Sequence, residues 1–255
     1  MTALPSSLKE SSALVLKGDF FMTINDSGNK PIIYVFNKEG EITHKCYISN
    51  ATNRDWEALV YDGKEHLFIG DIGNNQNKRK NLRVYKVHVD SVLNNKTVSA
   101  NAINFHYDDQ DAFPPEKSER YFDAEAMVYN NDSLFIFTKN RAEPFDGISK
   151  VYALDLHPTA DTIAFHLYDL QLKPTHWMEE SITDADLCSE DLFILTYGKI
   201  YWYKWNNKDF QLAKTYLFDG YTQKEGLTMD KKFFYLTDED ESIITGGNYL
   251  YKLKR

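Results

Sequence analysis

Short apolar runs of four to eight residues alternate along this chain with polar, turn-forming clusters. Ile32-Ile33-Tyr34-Val35-Phe36, Leu67-Phe68-Ile69-Gly70-Asp71 and Phe233-Phe234-Tyr235-Leu236-Thr237 are typical runs, rich in β-branched and aromatic residues. Asn, Asp, Gly and Lys gather between them. Runs of this length bounded in this way predict strands joined by tight turns, and the expected class is all-β.

The strand starts recur. With Ser12, Glu57, Glu125, Ala185 and Glu225 taken as equivalent positions, the spacings are 45, 68, 60 and 40 residues, which bracket the roughly 40 to 50 residues of a four-stranded propeller blade. The two long intervals carry insertions, at 90–101 with 108–120 and at 140–149. Four units supply four predicted strands each, while the last ends one strand short at Tyr249 to Leu253. A strand from the opposite terminus, within Thr2 to Glu10, would cover the edge left open. The prediction is a single domain over residues 1–255, a five-bladed β-propeller of four-stranded antiparallel blades closed by an N-terminal strand. The alternative is six blades, the extra one within 171–181.

In a propeller the first strand of every blade lines the central channel. Glu57, Glu125 and Glu225 would therefore converge on the axis, where like charges raise one another's pKa or call for a cation. Oxygen ligands suit Ca²⁺ or Mg²⁺ better than zinc, so calcium binding at the mouth competes with a hydrated acidic funnel holding no specific ion. Asp26, Asp71 and Asp238 end second strands, where they either join the site or close turns on their own backbone. Gly28 and Gly73 suit positive φ in the same loops. Trp56 either packs between blades or offers a stacking surface to a ligand. Lys139 either bridges to Glu125 or meets an anionic substrate, and Tyr197 either closes the channel floor or offers its hydroxyl.

Charge narrows the partners. Lys plus Arg number 29 against 38 Asp plus Glu, a formal charge of -9, which repels phosphate backbones unless a separate basic face exists. Nucleic acid is not an expected partner, and Lys78-Arg79-Lys80 with Arg83 reads as a solvated loop. No apolar run approaches the roughly 18 residues of a membrane span, and residues 1–10 lack the features of a secretory signal; a signal removed from ahead of them would make the protein exported or periplasmic. Cys46 and Cys188 read as two buried free thiols. The seven histidines are scattered without a zinc-ligating pair, and G-x-S-x-G, P-loop and dinucleotide fingerprints are absent.

The segments Asn25-Asp26-Ser27-Gly28-Asn29, Asp55-Trp56-Glu57, Ile69-Gly70-Asp71-Ile72-Gly73-Asn74-Asn75 and Asp123-Ala124-Glu125-Ala126-Met127 together resemble a family of bacterial β-propeller proteins, mostly uncharacterised and often exported. Ile182-Thr183-Asp184-Ala185-Asp186 and Lys224-Glu225-Gly226 fit the same order. That family is distantly similar to phytase-like esterase and lactonase propellers that hold calcium on acidic residues at the channel mouth. The resemblance implies calcium ligands among Glu57, Glu125, Glu225 and Asp71, with Asp26, Trp56, Lys139, Tyr197 and Asp238 available to a ligand. Ser12 and Ala185 depart from the acidic pattern. Two functions follow: a monomeric propeller that binds a small molecule, glycan or protein on its channel face, or a metal-dependent hydrolase of a small ester, lactone or phosphoester.

Overall fold

Alternation of inward and outward side chains converts the apolar runs into strands. In a computed structural model, residues 1–157, 162–205, 210–220, 222–239 and 247–255 are described. After β1 (Thr2–Ala3), a meander runs through β2 (Val15–Lys17), β3 (Phe20–Thr23), β4 (Ile32–Phe36) and β5 (Ile42–Ile48). The next comprises β6 (Trp56–Tyr61), β7 (His66–Asp71) and β8 (Leu82–His88). Helix α1 (Val89–Asn94) and the short β9 (Thr97–Val98) then lead to β10 (Asn101–Tyr107). The third is β11 (Asp123–Asn130), β12 (Ser133–Lys139), β13 (Ile148–Asp155) and β14 (Thr162–Gln171). Helix α2 (Trp177–Glu180) precedes β15 (Ile182–Cys188), β16 (Asp191–Thr196), β17 (Lys199–Trp205) and β18 (Phe210–Leu217), and the chain closes with β19 (Gln223–Met229), β20 (Phe233–Glu239) and β21 (Tyr249–Lys254). The 171–181 stretch, the place of the alternative sixth blade, holds the last residue of β14 and then α2, with no further strand.

Hydrogen bonding groups these strands into four sheets. Their orders are β2-β3-β4-β5-β9, β15-β16-β17-β18, β19-β20-β21-β1 and an eight-stranded β11-β12-β13-β14-β10-β8-β7-β6. The large sheet is two antiparallel meanders joined at their outer strands, where β10 and β14 pair in parallel from Phe105–Thr162 to Tyr107–Ala164. The N-terminal strand is shorter than the 2–10 segment allowed for: Thr2 pairs with Leu250 and Ala3 with Tyr249, then the chain enters a 3-10 turn at Ser6–Leu8.

The first strands touch in sequence, β2 with β6, β6 with β11, β11 with β15, β15 with β19, and β19 with β2. They enclose a channel, and the fold is a β-propeller. Its core is divided into layers between consecutive meanders. One joins Val15, Met22 and Val35 to Trp56, Leu59 and Tyr85; another joins Phe193, Leu195 and Ile200 to Leu227, Phe234 and Leu236. Trp56 is fully buried, its ring 6.0 Å from that of Tyr85. It packs between meanders and presents no face to a ligand, which corrects its place among the ligand-binding candidates. Of the two cysteines, Cys46 is buried and Cys188 exposed, both free, so the expectation of two buried thiols holds for Cys46 alone. Among the described residues no helix is long and apolar enough to cross a membrane.

Candidate functional site

Each glutamate expected on the axis is the extra residue of a β-bulge. Trp56 pairs with Asp71 and Ala58 with Gly70, which leaves Glu57 out of the ladder. Glu125 stands likewise between the pairs Ala124–Thr138 and Ala126–Phe137, and Glu225 between Lys224–Asp238 and Gly226–Thr237. A bulge bends its strand and re-aims the extra side chain, here toward the channel. β15 has the same bulge at Thr183, between Ile182–Thr196 and Asp184–Leu195. The fourth equivalent is thus Thr183 rather than Ala185, and its hydroxyl donates to the Lys224 carbonyl at 2.6 Å.

The register also sorts the second-strand candidates. Asp71 and Asp238 lie opposite Trp56 and Lys224, and neither lines the cavity at the channel mouth. Asp71 is 1% exposed and bound by Arg79 at 2.7 Å, while Asp238 accepts the backbone N–H groups of Asn248 and Tyr249 and the Tyr251 hydroxyl. Both Asp238 oxygens and Asp71 Oδ1 serve neighbouring loop and strand groups, whereas the buried Asp71 Oδ2 has no hydrogen-bond partner among the described residues. Gly73 has no positive φ, unlike Gly28 at 77°. Its need is space: a Cβ there would come within 2.5 Å of Glu57 Oε1 and 2.6 Å of Asp55 Oδ2. Arg79 is also no solvated loop residue, since it donates to the Gly73 carbonyl at 2.6 Å as well as to Asp71.

The cavity is about 220 Å³, and the carboxylates of Asp26, Glu57, Glu125, Glu225 and Glu239 reach it alongside Lys139, Arg141, Trp177 and Tyr197. It has two unlike halves. On one side Lys139 Nζ lies 3.3 Å from Glu125 Oε2 and donates to Tyr197 Oη at 3.0 Å, and Tyr197 donates to Glu225 Oε1 at 2.9 Å. Arg141 binds Asp123 through Nε at 2.6 Å, approaches Glu125 at 3.6 Å, donates to Asn75 and covers the Trp177 ring at 5.4 Å. Burial alone would lower the Lys139 pKa, but Glu125, Tyr197 and Glu225 hold it well above the ordinary lysine value.

The other half gathers carboxylates. One ligand oxygen each from Asp26, Asp55 and Glu57 lies within 4.8 Å of the others. Asp26 accepts the Ser27 backbone N–H. Among the described residues no Lys or Arg forms an ion pair with Asp55 or Glu57, although Glu57 is only 6% exposed. Burial, followed by the charges of Asp26 and Asp123, pushes the Asp55 carboxyl up to about 7. Glu57 is raised well above the carboxylate range by burial and then by Glu125, Asp26 and Asp55. Two oxygens that share one calcium ion at about 2.4 Å each can stand at most about 5 Å apart, so the 4.8 Å span suits a single ion.

The sequence reading missed Asp55, Asp123, Arg141, Trp177 and Glu239. Asp55 and Asp123 carried a signal in the shared Asp-x-Glu spacing before Glu57 and Glu125. Glu239 follows Asp238 directly and pairs with Gln223 as Lys139 pairs with Asp123, at the place equivalent to Tyr197. Arg141 and Trp177 belong to connections outside the repeat and carried none.

No protein-family model matches the sequence, and no curated protein matches it significantly. Solved structures do resemble the fold. Glutaminyl cyclase from Myxococcus xanthus superposes with a TM-score of 0.54 at 8% identity, over 100% of this chain and 94% of that one. A provisionally assigned 6-phosphogluconolactonase from Bacteroides uniformis gives 0.45 at 12% identity, over 99% and 72%. The WD40 β-propeller domain of Doa1 gives 0.41 at 12%, over 90% and 62%. At these identities the likeness concerns the fold.

Proposed function

We propose that this chain is a ligand-binding propeller, one domain of five blades over residues 1–255, whose channel mouth holds a divalent cation. The blade count rests on the ring of five first strands, with the eight-stranded sheet read as two blades whose outer strands meet. The observation that carries the binding reading is the unneutralised pair Asp55 and Glu57, converging with Asp26 beside a glycine that leaves their oxygens room. An all-carboxylate donor set is hard and flexible, as calcium favours. A bound ion would supply a charge that polarises an oxygen of whatever occupies the 220 Å³ cavity. Glu125, Glu225 and Lys139 shape the opposite wall as a closed network, and Arg141, Trp177 and Tyr197 offer polar and aromatic contacts to a small molecule. Glycans and protein side chains entering the mouth would meet the same groups.

This assignment moves the ion from the symmetric set Glu57, Glu125, Glu225 and Asp71 to an off-axis set. Calorimetric titration of the metal-stripped protein with CaCl₂ and MgCl₂ tests it, with Asp55→Asn and Glu57→Gln as paired variants. Stoichiometric calcium uptake that either variant weakens at least tenfold supports the site. Equal uptake by wild type and both variants, or none by any, removes it. Hydrolysis of a small ester, lactone or phosphoester at the same mouth is the catalytic counterpart, for which no nucleophile stands out among the cavity residues.

A further inference from the structure

Outer strands are where a propeller exposes unpaired backbone, and this chain covers most of its own. β5 is capped by β9, β10 and β14 pair with each other, and β1 is two residues long. β18 differs: eight residues long, it pairs with β17 alone among the described strands. An exposed edge of this length is a template for another chain unless it is blunted.

The two faces of β18 are chemically opposite, because a bulge at Ala213 separates Leu212, paired with Tyr203, from Lys214, paired with Trp202. Trp202 and Tyr203 are successive residues of β17 and point to opposite faces. Leu212 and Leu217, 53% and 75% exposed, accordingly share one face, and Lys214 and Tyr216 share the other. On the lysine face an open groove of about 550 Å³ is lined by Lys214, Lys231, Lys232 and Lys254. None of these four forms an ion pair with a described carboxylate. Lys204 and Arg255, by contrast, are taken by Asp191.

In a chain of formal charge -9 this is a local reversal of sign, and it selects an anionic partner. The groove's rings are already capped, Tyr216 by Lys214 at 4.0 Å, Phe233 by Lys252 at 4.0 Å and Trp202 by Lys204 at 5.1 Å. Stacked nucleic-acid bases or sugar rings would have to displace these cations, and neither would use the leucine face. We propose that the β18 edge docks an extended segment of another protein in which acidic and apolar residues alternate. Its backbone extends the sheet, its carboxylates meet the four lysines, and its apolar side chains cover Leu212 and Leu217. This surface is separate from the channel mouth and stands whether or not the mouth binds an ion.

The test uses the full chain and a fluorescein-labelled ten-residue peptide of alternating Glu and Val, followed by anisotropy at low salt. Saturable binding is expected, with slowed amide exchange across 210–217. At least tenfold loss is expected in the double variant Lys214→Glu, Lys232→Glu and in Leu212→Asp, each with wild-type circular dichroism. Lys231→Gln with Lys254→Gln, on a turn and at the chain end, serves if those variants fold poorly. Equal affinity for a proline-interrupted peptide of the same acidity, unchanged exchange across 210–217, or binding of heparin or oligo-dT but not of the peptide overturns the proposal.

Discussion

Lys139 Nζ lies 3.3 Å from Glu125 Oε2, with both side chains about 95% removed from solvent (5% and 4% exposed). A buried pair of this kind contributes little net stability over an apolar pair, but removing one partner strands the other charge at a cost of about 3–5 kcal/mol. Here the charge left behind would be Glu125, which keeps only the longer approach of Arg141 at 3.6 Å.

Lys139→Met should therefore lower the melting temperature by roughly 6–20 °C, at about 2–4 °C per kcal/mol for a chain of this size. Adding Glu125→Gln should restore part of the loss, since it removes the carboxylate that Lys139→Met leaves with Arg141, 3.6 Å away, as its remaining ion-pair partner, while Glu225 stays buried. A differential scanning calorimetry series of wild type, both singles and the double measures the coupling. Additive losses would mean that the two side chains do not act as a pair.

Gly73 makes a second, sharper demand on the mouth. A methyl group at that position would collide with both Glu57 and Asp55, so Gly73→Ala must push their carboxylates apart. Calcium at a hundred times its Kd should stabilise the wild type by about 2.7 kcal/mol, a rise of roughly 5–10 °C. Gly73→Ala should lose most of that rise while remaining folded in chelator. A full calcium response in the alanine variant would place the ion elsewhere.

The repeat was legible because strand length, β-branched content and turn residues agree at every level, from Ile32-Ile33-Tyr34 to Tyr249-Leu250-Tyr251. The site was legible only in part. A bulge shifts the facing of a strand by one residue without changing its composition, so Glu57, Glu125 and Glu225 could be found by type, whereas Thr183 was displaced to Ala185. Asp71 and Asp238 resemble mouth residues by position, and only the register shows that Arg79 and the β21 backbone claim them. Trp56 was open to two roles because burial depends on the neighbouring meander, which local sequence does not specify.

Arg79 separates a structural cation from its solvated neighbours. It anchors Asp71 and the Gly73 carbonyl from a loop whose composition suggests only charge. Arg79→Ala should cost about 3 kcal/mol by removing the ion pair of the buried Asp71, which keeps the Asp55 N–H and the more distant Arg83 charge, while Lys78→Ala should fall within about 0.5 kcal/mol of wild type as an exposed substitution. Urea unfolding of the two variants distinguishes them, and equal midpoints would return the whole run to a solvated role.

The far end of the channel supplies a pH test that does not involve the acidic mouth. A cavity of about 210 Å³ there is lined by Asp186, Thr228 and apolar residues such as Leu14, Leu59 and Met127. Burial pushes the Asp186 carboxyl up to about 6 from the usual 3.8, despite the opposing Leu187 N–H and Thr228 hydroxyl. Because the folded pKa is the higher one, the folded protein binds this proton more tightly than the unfolded chain does. The resulting stabilisation is complete below about 3.8 and is lost as the pH rises through about 6. Asp186→Asn removes the charge and keeps a hydrogen-bond acceptor. The variant should match the wild type near pH 4 and exceed it at pH 8 by about 1–3 kcal/mol, toward the lower end because the side chain is partly exposed. Chemical unfolding at the two pH values measures the difference, and an equal effect at both would show that the Asp186 charge is not what the far end of the channel destabilises.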